Sequence, residues 1–141
     1  NILNEMDYNE EAIESYKKAL KIKPDFVEAW NNQGIVLSKL NKTKQAIKSY
    51  TKAIKINPKY VEAWINRALA EDSIGKYKNA LESYHKFIEL SPSESNKYVK
   101  IARRRISEIK EKLKTKSKKS SNTKPDNENK SMDIQFAEDL N

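Results

Sequence analysis

The sequence predicts an all-α fold, a solenoid of stacked helical hairpins, and three observations carry that prediction. The stretch FVEAWNNQG at 26–34 returns 34 residues later as YVEAWINRA at 60–68. The same interval relates Pro24, Pro58 and Pro92, then Ala12, Ala46 and Ala80, then Tyr16, Tyr50 and Tyr84. A fixed period of this length marks an architecture in which each unit is buried only by its neighbours. Within one period the apolar residues recur at helical spacing: Ala46, Ile47, Tyr50, Ala53 and Ile54 sit at i, i+1, i+4, i+7 and i+8. Finally, 141 residues hold only two glycines and four prolines, among abundant Lys, Glu, Ala, Leu and Ile. So few breakers favour helix nearly throughout.

The elements follow in order. Residues 1–26 read as the second half of a unit, with a helix near 10–22 and a remnant of a first helix before it. Residues 27–60 form a full unit. Its first helix carries Trp30, Gly34, Leu37 and Leu40, NKT at 41–43 turns the chain, and the second helix ends before Pro58. Residues 61–94 repeat this with Trp64, Ala68, the turn GKY at 75–77, Ala80, Tyr84 and Pro92, and Phe87 replaces the second alanine. Small residues at 34, 46, 68 and 80 let two helices approach, and the aromatics fill the space beside them. Residues 95–114 read as a capping helix, with a stripe of Tyr98, Ile101, Ala102, Ile106 (or Arg105), Ile109 and Leu113. A charged opposite face suits the end of a solenoid. The N-terminal edge, around Ile13 and Tyr16, shows no such cap, and is covered either by further repeats or by self-association. Residues 115–141 read as a tail, basic and then acidic and mostly disordered.

This pattern resembles the tetratricopeptide repeat (TPR) family, whose 34-residue units are helix–turn–helix pairs. Trp30, Gly34, Ala46, Tyr50, Ala53 and Pro58 match the family pattern, as do Trp64, Ala68, Ala80, Tyr84 and Pro92. The resemblance implies a right-handed superhelix whose concave groove, lined by the first helix of each unit, binds a peptide segment of a partner protein. On that reading the groove residues are Asn31, Asn32, Ile35 and Lys39 in one unit, and Ile65, Asn66, Leu69 and Asp72 in the next. Asn32 and Asn66 hold equivalent places, and an asparagine amide offers a donor and an acceptor to a peptide backbone of any sequence. Some relatives hold a C-terminal carboxylate in a clamp of lysines, asparagines and an arginine. Here Glu62 and Asn66 stand where that clamp has Lys and Arg, so chaperone tails are not the expected ligand. The family also has leucine where this chain has Gln33 and Arg67. The arginine stem is expected to pack there while its head reaches water.

Composition narrows the chemistry. The chain has no cysteine, one histidine (His85) and no glycine-rich phosphate loop. Glu82, His85 and Glu89 share one helix but converge poorly, so they read as a solvated face. An enzyme is therefore not expected, nor a metal or cofactor. The net charge of +8 is uneven. Residues 97–124 hold 12 basic and 2 acidic side chains, and residues 125–141 hold 1 basic and 5 acidic. The basic run, Arg103, Arg104 and Arg105 followed by KEKLKTKSKK at 110–119, supports a second reading: contact with nucleic acid or an anionic membrane surface. Only Tyr98 is aromatic in that region, so base stacking is not provided for. SMDIQFAEDLN at 131–141 spaces Met132, Phe136 and Leu140 four apart; it reads first as an incidental hydrophobic tail-end, and second as a short acidic amphipathic helix that docks on a partner, on the groove or on the basic cap. No run approaches the roughly 18 apolar residues of a membrane span. The opening NILNEMDYNE is unlike a signal peptide, and cytoplasmic residence is the default expectation.

Overall fold

The 34-residue period resolves into antiparallel helix pairs joined by two recurring turns. The computed structural model describes residues 1–122. They form α1 (Ile2–Ile22), α2 (Val27–Lys39), α3 (Thr43–Ile56), α4 (Val61–Ser73), α5 (Tyr77–Leu90) and α6 (Lys97–Asn122). No other regular element occurs among them. The pairs α2/α3 and α4/α5 pack most extensively, and α3 packs on α4 to join one pair to the next.

Each hairpin turn depends on one left-handed residue. Asn41 has φ 59° and Gly75 has φ 75°, and the two lie one period apart. Asparagine and glycine tolerate this region best. The reversal lets the Lys42 amide donate to the Leu37 carbonyl and the Lys76 amide to the Glu71 carbonyl, each at 2.9 Å. These bonds occupy carbonyls that the helix end leaves open. At the junction between units the tryptophans serve instead. Trp30 Nε1 donates to the Pro24 carbonyl at 2.8 Å, and Trp64 Nε1 to the Pro58 carbonyl at 2.7 Å. The opening tryptophan motif is thus a structural tie, repeated because the junction is repeated.

The core runs between the helices as a chain of small and aromatic side chains. Ala46, Ala53, Ala63, Ala68 and Ala80 are fully buried, as is Tyr84. Gly34 lies under the Tyr50 ring so closely that a Cβ there would meet Tyr50 Cε1 at 2.4 Å. Tyr50 is itself buried, so the ring has little room to retreat. Gly34→Ala is expected to lose up to about 2 kcal/mol net: overpacking costs about 1–3 kcal/mol and better helix propensity returns about 1. A drop in the urea midpoint, smaller in a Tyr50→Leu background, is the expected reading. A higher midpoint, or a midpoint shift that is the same in both backgrounds, would contradict this contact.

Three expectations change. The first unit is one continuous helix, α1, rather than a helix near 10–22 preceded by a remnant. Asp7 holds the register of Asn41 and Gly75, yet the backbone stays helical there. Six residues are too few to persist as a separate helix, whereas extending α1 satisfies their backbone groups. The exposed large hydrophobic residues at this edge are Ile2, Leu3, Met6 and Tyr8, while Ile13 is buried against the α2/α3 pair. The capping helix starts at Lys97 and continues past Lys114 to Asn122. Lysine and glutamate are good helix formers and no breaker interrupts them, so the helix outlasts its last apolar contact at Leu113. Within α6, Val99 is buried and Tyr98 exposed. The connector Ser91–Asn96 is longer than Asn57–Tyr60, so α6 falls out of the 34-residue register. Residues 123–141, including the docking expectation for 131–141, lie outside the described residues.

Candidate functional site

One face of α2 and the matching face of α4 lie side by side. A helix advances 100° per residue, so positions 28, 32, 35 and 39 share a line on α2, and 62, 66, 69 and 73 share its counterpart on α4. Asn32 and Lys39 are exposed, Ile35 and Asn66 are half-buried, and Leu69 is 37% exposed. These five therefore present side chains to one surface. Near its start, Glu28 and Glu62 lie close to the half-buried Tyr60. Burial raises the Tyr60 hydroxyl pKa, and the two carboxylates raise it further.

Three of the expected site residues face elsewhere. Asn31 is only 3% exposed and Ile65 only 6%. One residue of helical rotation turns both toward the neighbouring helix. Asn66 Nδ2 donates to Asn31 Oδ1 at 3.1 Å, which ties α4 to α2. That bond uses an Asn66 donor and leaves the accepting capacity of its side-chain oxygen unused.

Asp72 belongs to the fold. Arg105 Nε and Nη2 each donate to its carboxylate at 2.7 Å, and the Tyr84 hydroxyl donates at 2.8 Å. Burial works against the Asp72 charge, but the bonds from Arg105 and Tyr84 outweigh it and hold the pKa below the usual carboxylate range. The same bond to Asp72 raises the Arg105 pKa. Asp72 thus fastens α6 to the α4/α5 pair and is not a groove contact.

This pairing also changes the basic run. Arg105 contacts Asp72 and Glu108, Arg103 donates to Glu94 at 2.8 Å, and Arg104 lies 3.8 Å from Glu108. All three arginines therefore have acidic partners, although Arg103 and Arg104 remain exposed to solvent.

A buried polar series went unforeseen. The Arg67 guanidinium is held mostly against the protein, its side chain 15% exposed: it lies 4.7 Å from the Trp64 ring centroid, Nε donates to Ser83 at 3.1 Å, and Nε lies 3.5 Å from Glu71. Nη1 also donates to Thr51 at 3.4 Å, across the unit junction. Ser83 donates to Glu71 at 2.6 Å. Burial pushes the Glu71 pKa up, more than Ser83 and Arg67 pull it down. One period earlier, Ser49 donates to Gln33 at 3.2 Å. The signal was in the sequence: Ser49 and Ser83 recur one period apart on the second helices, opposite the two departures from leucine at 33 and 67.

Among the described residues no group of three His, Cys, Asp or Glu side chains is placed to hold a metal ion, and His85 is exposed. No described helix is long and apolar enough to cross a membrane.

Comparison with known proteins bears on the same stretch. The family described as tetratricopeptide repeat matches residues 27–60 and 49–82, and the family described as TPR repeat matches residues 1–41. None of the curated proteins matches the chain by sequence. Among solved structures, the TPR domain of Arabidopsis OM64 is 27% identical, covers 72% of this chain and 83% of that chain, and gives a TM-score of 0.66. The second TPR domain of human RPAP3, in complex with the HSP70 peptide SGPTIEEVD, is also 27% identical. It covers 72% of this chain and 81% of that chain, with a TM-score of 0.63. The Sgt2 TPR domain from Aspergillus fumigatus is 25% identical, covers 85% of this chain and 77% of that chain, and gives a TM-score of 0.67. The repeated residues, the hairpins they form and these matches agree: the chain belongs to the tetratricopeptide repeat family.

Proposed function

We propose that the chain is a protein-interaction module that binds a peptide segment of a partner along the shared face of α2 and α4. The observation that carries this reading is the juxtaposition of Asn32, Ile35, Lys39, Asn66 and Leu69 on adjacent first helices, at matching positions of consecutive units. Asn32 is exposed, and its amide makes no hydrogen bond among the described residues. With the acceptor of Asn66 it suits the backbone of an extended segment, while Ile35 and Leu69 suit an apolar side chain. The human RPAP3 domain in complex with an HSP70 peptide supports a peptide ligand in general terms. The ligand here differs in chemistry, because Glu62 and Asn66 stand where a carboxylate clamp has Lys and Arg. A partner segment without a terminal carboxylate fits this face better. The interaction scaffold, rather than catalysis, is the role this fold supports.

The test is to select peptides from a random library on the full chain and map one by amide chemical shifts. Changes centred on residues 32, 35, 66 and 69 are expected. A footprint on α6 or on the second helices would overturn the assignment.

A further inference from the structure

We propose that a cavity on the α3 side of the molecule, over Trp30, is the docking site of this chain's own acidic stretch, SMDIQFAEDLN at 131–141. The cavity measures about 330 Å³ and is lined by Trp30, Ile47, Ser49 and Thr51 together with the exposed Lys48, Lys52 and Lys55. It shares no residue with the face proposed to bind a partner.

The repeat itself shows why the cavity exists. One unit later the ring of Trp64 is covered by the Arg67 guanidinium, 4.7 Å from its centroid. The residue equivalent to Arg67 is Gln33, shorter and engaged with Ser49, so Trp30 has no such cover. The charged lining changes as well. Lys48, Lys52 and Lys55 correspond to Glu82, Lys86 and Glu89 in the next unit. Three positive charges thus line an aromatic cavity in one unit only, so solenoid packing does not require them. All three lysines are exposed, and none has an ion pair among the described residues. A cation like that of Arg67 is repelled there, whereas an apolar side chain flanked by carboxylates is attracted.

The segment 131–141 has this chemistry. It holds Phe136 between Met132 and Leu140, with Asp133, Glu138 and Asp139 and no basic residue. Residues 123–130 join the segment to α6, so its docking on the cavity is an intramolecular event. The phenyl ring stacks on Trp30 and the carboxylates pair with the lysines.

The experiment compares amide and indole NMR spectra of the full chain with those of the full chain carrying Phe136→Asp, which leaves every described residue intact. The expected result is shift changes at the Trp30 indole and at the amides of Lys48, Thr51 and Lys52, independent of protein concentration. Raising salt from about 0.05 to about 0.5 M moves the unmodified chain toward the variant spectrum, because ion pairing by exposed lysines is screened. Spectra that coincide around α3 would overturn the proposal, as would changes centred on Asn66 and Leu69 or on Leu113. Changes that disappear on dilution would assign the occupant to a second copy and overturn docking within one chain.

Discussion

Tyr84→Ala is expected to lower stability by about 4 kcal/mol, since deleting a buried aromatic costs about 3–5 kcal/mol. Tyr84 is 0% exposed and lies in the core shared by α4, α5 and α6. Its neighbours include Ala68 and Ala80, which cannot expand into the space, so the cavity persists rather than collapsing. The substitution also removes the hydroxyl that donates to Asp72 at 2.8 Å. Tyr84→Phe separates the two contributions: it keeps the ring and is expected to cost only about 1.5–3 kcal/mol, the range for one hydrogen bond to a charged group. Urea unfolding followed by circular dichroism reads both. A loss below about 1 kcal/mol for the alanine variant would contradict this placement of Tyr84.

Arg105→Ala carries the second large effect, about 2–3 kcal/mol. Removing one partner of a fully buried pair costs about 3–5 kcal/mol because the other charge is left unpaired. Here the side chains retain 23% and 11% exposure, so solvent screening reduces the figure. The consequence is local first, because Asp72 and Arg105 hold α6 against α4. Hydrogen exchange in α6 is expected to accelerate before that in α2 and α3.

The pH dependence has a definite sign. The folded Asp72 pKa lies below its ordinary value of 3.8, so its contribution is present at neutral pH and lost as pH falls below about 4. Glu71 acts oppositely. Its folded pKa lies above the ordinary 4.5, so protonation as pH falls through that raised value favours the fold. The intact chain is therefore expected to gain slightly at mildly acid pH and lose stability below about pH 4. In Arg105→Ala the loss below pH 4 should largely disappear. A variant with the same acid limb would show that Asp72 is not the group responsible.

The fold was legible because it is written in repeated residues. Trp30 and Trp64, Gly34 and Ala68, and Tyr50 and Tyr84 each recur in register, and each has a packing duty that a local period can express. The turns were legible for the same reason, with Asn41 and Gly75 one period apart. The site was less legible. Asn31 and Asn32 differ by a single helical step, yet one is buried against α4 and the other exposed. Choosing between them needs the crossing of two helices, which a periodicity does not contain. Asp72 meets Arg105 from 33 residues away, and no local pattern announces so distant a partner. Arg67 misled for a chemical reason. A long cationic stem ordinarily carries its head to water, but Ser83, Glu71 and Trp64 together hold most of the guanidinium against the protein.

The most direct test of the central claim is the affinity of a library-selected peptide for the full chain and for its Asn32→Ala/Asn66→Ala variant. It is measured at about 0.15 and about 0.5 M salt, so that ionic screening separates the two kinds of contact. Binding through backbone hydrogen bonds and apolar contact should change little with salt. It should weaken about 5- to 150-fold in the double variant, from two hydrogen bonds of about 0.5–1.5 kcal/mol each. Binding that collapses with salt and ignores the asparagines would contradict the account, and would move the working surface from the α2/α4 face to the lysines of α6.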